Sequence, residues 1–118
     1  IFENNLYVKE ISTGKITQIT NDGKRNEIIN GTTDWVYEEE FAITKAYGWS
    51  PDSKYVGYLK FNEQSVKEFT MTYYKDLYPE LYTFKYPKAG EDNSIVTVHM
   101  FDIANNKNLN DINLGEYE

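Results

Sequence analysis

Leu6-Tyr7-Val8-Lys9-Glu10-Ile11-Ser12-Thr13-Gly14-Lys15 and Val98-His99-Met100-Phe101-Asp102-Ile103-Ala104-Asn105-Asn106-Lys107 are two versions of one pattern. Apolar positions coincide, an acidic residue recurs, and a small turn residue and a lysine close each copy. Each segment reads as a strand running into a turn, because apolar β-formers give way to Ser, Gly and Asn. In the first copy the chain returns through Ile16 to Ile19 and turns again at Asn21-Asp22-Gly23, which completes a hairpin. In the second, Ile95 to Ile103 is the strongest late strand, turning at Asn105-Asn106 into a strand expected over Leu109 to Leu114.

Between the two copies the pattern changes. Gly31 to Asp34 is loop-like, and Thr33 or Asp34 is placed to cap a short helix running through Glu38-Glu39-Glu40. Ile43-Thr44 and Gly48 work against any longer helix. Trp49-Ser50-Pro51-Asp52-Ser53 is a turn that feeds a strand from Tyr55 to Phe61. A further strand is expected from Val66 to Tyr74, with Phe69, Met71 and Tyr73 on one face and Val66, Glu68, Thr70, Thr72 and Tyr74 on the other. Tyr78-Pro79 interrupts it, Leu81 to Tyr86 returns as strand, and a loop runs to Ser94.

Blades of a β-propeller repeat every ~40–50 residues. The offset from position 6 to position 98 therefore fits two short blades or one blade carrying insertions. The helix and the Tyr74–Gly90 stretch look like insertions, which favours the second. The expected fold is mainly β: antiparallel blades from a β-propeller with one short inserted helix near Glu38-Phe41. Residues 1–118 are expected to form a partial propeller domain.

Composition agrees and excludes several functions. Aromatics make up 16% of the chain, led by 11 tyrosines, a bias that suits a pleated, half-buried surface. A net charge of -7 with Arg25 as the single arginine argues against nucleic acid, whose phosphates need clustered cations. The absence of cysteine excludes a disulfide framework, a cysteine zinc site and a thiol nucleophile. No apolar run approaches the ~18 residues of a membrane span. The opening Ile1-Phe2-Glu3-Asn4-Asn5 carries neither an initiator Met nor a signal pattern, so the chain is expected to start within a longer protein.

Catalytic chemistry is sparse. A hydrolase nucleophile needs a serine on a strained, glycine-flanked turn with His and Asp in reach, and none of the serines sits in that setting. The one histidine, His99, alternates with Thr97 and Phe101 and reads as a packed strand residue. No cofactor, metal or catalytic residue is expected within the chain. The remaining concentration of charge is Asp34-Trp35-Val36-Tyr37-Glu38-Glu39-Glu40. Three adjacent carboxylates normally form a solvated helix end. Here Trp35, Tyr37 and Phe41 can hold such a helix at the edge of a cavity. A calcium site on Glu38, Glu39 and Glu40 would need 6–8 oxygens, and few other donors lie nearby.

Asn30 to Glu40, with Trp49-Ser50-Pro51, Tyr58-Leu59-Lys60-Phe61-Asn62 and Tyr86-Pro87-Lys88-Ala89-Gly90 in the same order, closely resembles the double-glutamate segment of the dipeptidyl peptidase IV-like serine peptidases of the prolyl oligopeptidase family. The resemblance covers roughly Asn5 to Ile103. It implies about two blades from a larger N-terminal propeller domain, whose missing blades and α/β-hydrolase domain belong to the same protein. It implies an exopeptidase that releases X-Pro or X-Ala dipeptides, a periplasmic, cell-surface or secreted location, and a segment inactive by itself. It also implies that Glu39 and Glu40 grip the α-ammonium of the peptide substrate, with no such role for Glu38.

Elementary chemistry suits that role. An ammonium offers three donors, and two carboxylates can accept from it. A peptide amine with a pKa of ~7.7–8 is mostly charged at neutral pH. A non-catalytic β module that binds glycans or proteins through exposed Tyr and Trp is the alternative reading. Strand edges left unpaired by the missing blades are expected to make the chain a homodimer.

Overall fold

The computed structural model describes residues 1–109 and 112–117. In chain order it holds β1 (Tyr7–Lys9), β2 (Ile16–Gln18), β3 (Ile28–Asn30), α1 (Trp35–Phe41), β4 (Tyr47–Trp49), β5 (Tyr55–Asn62), β6 (Glu68–Tyr73), β7 (Glu80–Lys85), β8 (Ile95–Asp102) and β9 (Lys107–Asn108). β1 and β2 form one ribbon, β6 and β7 another, and the remaining strands form the main sheet. All of these pairings are antiparallel. Among the described residues no helix is long and apolar enough to cross a membrane.

The main sheet has five strands in four positions. β5 pairs with β8 along its whole length, from Tyr55↔Asp102 to Asn62↔Ile95. Its other edge is shared end to end by β3, which faces Lys60 to Asn62, and β4, which faces Val56 to Tyr58. Leu59 lies at the junction. It accepts a hydrogen bond from Gly31 N (3.0 Å) and donates one to the Ala46 carbonyl (2.9 Å), while Ala46 N donates to the Gly31 carbonyl (2.9 Å). β3 and β4 are thus one interrupted strand, and the chain between them leaves and re-enters through a hydrogen-bonded neck. Gly31 is needed there. Its φ is +78°, and a Cβ would stand 3.1 Å from a Leu6 methyl.

The internal repeat has a structural cause. β1–β2 and β8–β9 are equivalent hairpins, and in each the recurring acid braces the turn. Glu10 accepts from the Thr13 hydroxyl, and Asp102 accepts from Asn105 N (3.0 Å) and Asn105 Nδ2 (2.8 Å). Gly14 and Asn106, which align in the repeat, both take left-handed backbone, with φ of 76° and 50°.

β5 is buried on both faces, as expected for a central strand whose side chains alternate. Val56 and Tyr58 join Leu6, Ile19 and Phe101 in a core beneath the first ribbon. Phe61, fully buried, packs with Ile29 and Ala46 on the opposite face, beside Tyr37 of α1. Cross-links tie the first ribbon to the sheet. Asn30 donates to the Asn4 carbonyl, Lys60 Nζ lies 2.8 Å from Asp22, and Asn108 Nδ2 donates to the Ile19 carbonyl.

The mainly β, propeller-like fold agrees with expectation, as do the first hairpin and the short helix through Glu38 to Phe41. The segments that sequence pattern places differently are instructive. β3 had no signal, being three residues between turns. Trp49 belongs to β4 rather than to the turn. The second insertion begins at Glu63, directly after β5, and includes all of β6, so it is longer than Tyr74–Gly90. The expected Leu109–Leu114 strand is displaced: β9 is Lys107–Asn108, and Ile112 makes an isolated bridge to Val98, while Asn110 and Asp111 lie outside the described residues.

Candidate functional site

The acid-rich helix sits in the excursion between β3 and β4. Asp34 is its N-cap, with Oδ1 accepting from Tyr37 N at 3.0 Å. The expected choice between Thr33 and Asp34 resolves physically. The Thr33 hydroxyl donates to the Ile43 carbonyl instead, fastening the start of the excursion to its return. At the other end Ala42 adopts left-handed backbone (φ 54°), and the chain closes back on the Tyr37 carbonyl.

Aromatic contacts fix the helix from two sides. Tyr37 meets Phe61 edge-on with ring centroids 5.0 Å apart, anchoring α1 to the core. Trp35 meets Tyr86, just beyond β7, at 4.4 Å. Trp35 and Tyr37 are two residues apart, so they leave the helix in diverging directions and straddle it between sheet and ribbon. Phe69, Met71 and Tyr73, expected on one face of the ribbon, line the clefts beside Trp35. Phe69 packs against Phe84 and Tyr86, and Tyr73 against Tyr82.

Glu38, Glu39 and Glu40 are all exposed. Glu38 follows Trp35 by one turn and lines an open cleft of ≈ 330 Å³ between α1 and the β6–β7 ribbon. Glu39 and Glu40 do not line that cleft. Among the described residues neither has a hydrogen-bond or ion-pair partner within the chain, which leaves both carboxylates available to a ligand. As neighbours they diverge by about 100° around the helix axis, so only a donor lying above and between them could reach both.

Sequence reasoning missed what lies at the base of the cleft. Asp34 is buried, and its second oxygen accepts from Ser94 Oγ at 2.6 Å. Glu63 is buried beside it, and burial pushes its carboxyl up to about 6, with the Asp34 charge adding to the rise and Lys85 opposing it. Lys85 Nζ donates to the Val66 carbonyl at 2.7 Å. These groups come from the excursion, the end of β5, the end of β7 and the start of β8. No spacing in the sequence announces their meeting; the only available signal was the expected helix cap.

His99 is a core residue. It is buried, stacks on Tyr58 with centroids 5.3 Å apart, and its Nε2 lies 2.7 Å from the Thr97 hydroxyl. Arg25 lies over the Tyr82 ring and donates to the Thr83 carbonyl, away from Glu39 and Glu40 in the chain's contacts. Among the described residues no group of three or more His, Cys, Asp or Glu side chains is placed to hold a metal ion.

The family model of the dipeptidyl peptidase IV N-terminal region matches residues 1–117. The chain belongs to that family. Within the dipeptidyl peptidase IV N-terminal family, it is 41% identical to the dipeptidyl peptidase 4 of Porphyromonas gingivalis, whose crystal structure superposes with a TM-score of 0.91 over 97% of this chain and 16% of that one. It is 42% identical over 104 residues to the prolyl endopeptidase FAP of Mus musculus and 40% identical over 104 residues to that of Homo sapiens. Each of those alignments covers 86% of this chain and 14% of the relative. The chain therefore spans about one seventh of the length of these relatives and corresponds to part of their N-terminal region.

Proposed function

We propose that this chain is the amine-recognition segment of a dipeptidyl-peptidase IV-like serine exopeptidase, with Glu39 and Glu40 gripping the α-ammonium of a peptide substrate. The observation that carries the reading is the helix itself. It is short, fastened to the core by Tyr37 and to the ribbon by Trp35, and it presents two adjacent carboxylates that no other group of the described chain engages. Rigid placement matters because the amine then sits at a fixed distance from a nucleophile held in the α/β-hydrolase domain of the same protein. A gap that admits two residues makes the clamp a ruler and favours release of X-Pro or X-Ala dipeptides. The whole protein is periplasmic, at the cell surface or secreted, and its copies pair through surfaces left open on this segment.

The test uses the full-length protein. Cleavage of Gly-Pro-anilide is compared with that of its N-acetyl form, before and after Glu39→Gln and Glu40→Gln. Each charge-assisted bond is worth roughly 1.5–3 kcal/mol, so kcat/KM for the free-amine substrate is expected to fall about 10- to 100-fold per substitution. Variants that keep the wild-type preference for a free amine would reduce the acidic run to a solvated helix end.

A further inference from the structure

The buried carboxylate of Glu63 has no place in amine binding, yet it lines the same cleft as Asp34, the residue that caps α1, and feels its charge. Asp34 caps the helix through one oxygen and binds Ser94 through the other, so both of its oxygens are already engaged. The charged and titratable groups around Glu63 come from every neighbouring element. Asp34 and Glu38 face it from the excursion, Tyr73 from β6, and Tyr82 and Lys85 from β7. Lys85 is shared, lying 3.9 Å from Glu68 and donating to the Val66 carbonyl. Glu27 lies behind it, its carbonyl accepting from Glu63 N at 2.8 Å while its carboxylate is occupied by Lys24 and Gln64.

We propose that Glu63 is a positioning residue for the ammonium clamp, seating α1 firmly when neutral and loosening it, by repulsion from Asp34, when ionised. The inference rests on the clamp reading of Glu39 and Glu40. Two buried carboxylates against one shared lysine leave a net negative charge, which is costly in a partly desolvated cleft. The neutral form removes that repulsion. The sign follows from linkage. The folded protein holds the Glu63 proton up to about pH 6, whereas an unfolded chain releases it near the ordinary value of 4.5. Firm seating is therefore fully present below about pH 4.5 and is lost as the pH rises through about 6.

This makes a prediction opposite to simple electrostatics. If Glu63 acted only as a remote negative charge, its ionisation would strengthen the grip on an ammonium. Through helix seating, ionisation weakens it.

The experiment measures the affinity of the full-length protein for valyl-pyrrolidide, a free-amine mimic of an X-Pro unit with no bond to cleave, by calorimetry between pH 5 and 7.5. Wild-type affinity is expected to fall by about threefold or more with a midpoint near 6. Glu63→Gln should hold the acidic-pH affinity throughout. Lys85→Met, which removes the opposing cation, should move the midpoint to higher pH. An unchanged pH profile in Glu63→Gln overturns the proposal, as does a wild-type affinity that rises with pH and flattens in the variant. Glu39→Gln and Glu40→Gln run alongside: if they leave affinity intact, the clamp reading fails, and if they abolish it while Glu63→Gln changes nothing, only the role of Glu63 fails.

Discussion

Asp34 satisfies a helix end and joins two distant parts of the chain with a single carboxylate. Its cap bond is local, three residues long, while its bond to Ser94 spans from the excursion to the loop before β8. Replacing it by Ala removes both and leaves the Ser94 hydroxyl without its partner. Loss of a cap costs about 0.5–2 kcal/mol, and the second bond puts Asp34→Ala at the upper end of that range. Chemical denaturation should show the loss as a lower midpoint with an unchanged slope. Asp34→Asn, which keeps an acceptor for Tyr37 N, should recover much of it. Half of this residue's function was readable in advance, because an Asp before an apolar-acidic helical run is a local signal. The other half was not, since nothing in residues 34, 63 and 94 marks them as neighbours until the topology folds them together.

At the scale of elements, α1 is a helix of only seven residues, too short to persist on its own. Its tertiary anchors hold it, and its C-terminal end is strained, because Ala42 takes a left-handed conformation that glycine adopts freely. Ala42→Gly is expected to raise stability by roughly 0.5–1 kcal/mol, relief of the strained backbone outweighing the added freedom of the unfolded chain. A thermal melt showing a lower transition temperature would contradict it. Elements with strong local character were legible in sequence: the first hairpin with its Gly14 turn, the alternation of Phe69, Met71 and Tyr73, and the long β-rich run of β5. The three-residue strands β3 and β4 were not, because such pieces exist only by pairing with β5. Asn30 and Trp49, read on their own, look like loop and turn.

For the molecule as a whole, the β6–β7 ribbon stands off the main sheet and is exposed along most of its length. Tyr74, Leu77, Tyr78 and Leu81, at and beside its turn, are among the most exposed large apolar residues of the chain. These residues, and the edge of β4 that no other described strand covers, are surfaces suited to a partner. Self-association is accordingly expected for protein containing this segment. Light scattering should give a dimer at micromolar concentration, and Leu77→Glu with Leu81→Glu should shift it toward monomer; a monodisperse wild-type monomer would rule the expectation out. The propeller origin of the surface was legible from the repeat of positions 6–15 at 98–107. Which apolar residues would be left outside the core was not, because it depends on the ribbon leaving the sheet at Glu63.

The neck formed by Gly31, Ala46 and Leu59 has a consequence for how such a protein can change. Because the interrupted strand resumes in register on the far side, the sheet does not sense how many residues the detour contains. Segment 32–45 behaves as an exchangeable module: a lineage could lengthen it, shorten it or rewrite its acidic face, and the blade beneath would still close. Selection for a new ligand can then act on the exposed acids of the detour while selection for folding acts on β5 and its neighbours, with Gly31 and Ala46 at the neck, Tyr37 against Phe61 and Asp34 against Ser94 answering to both.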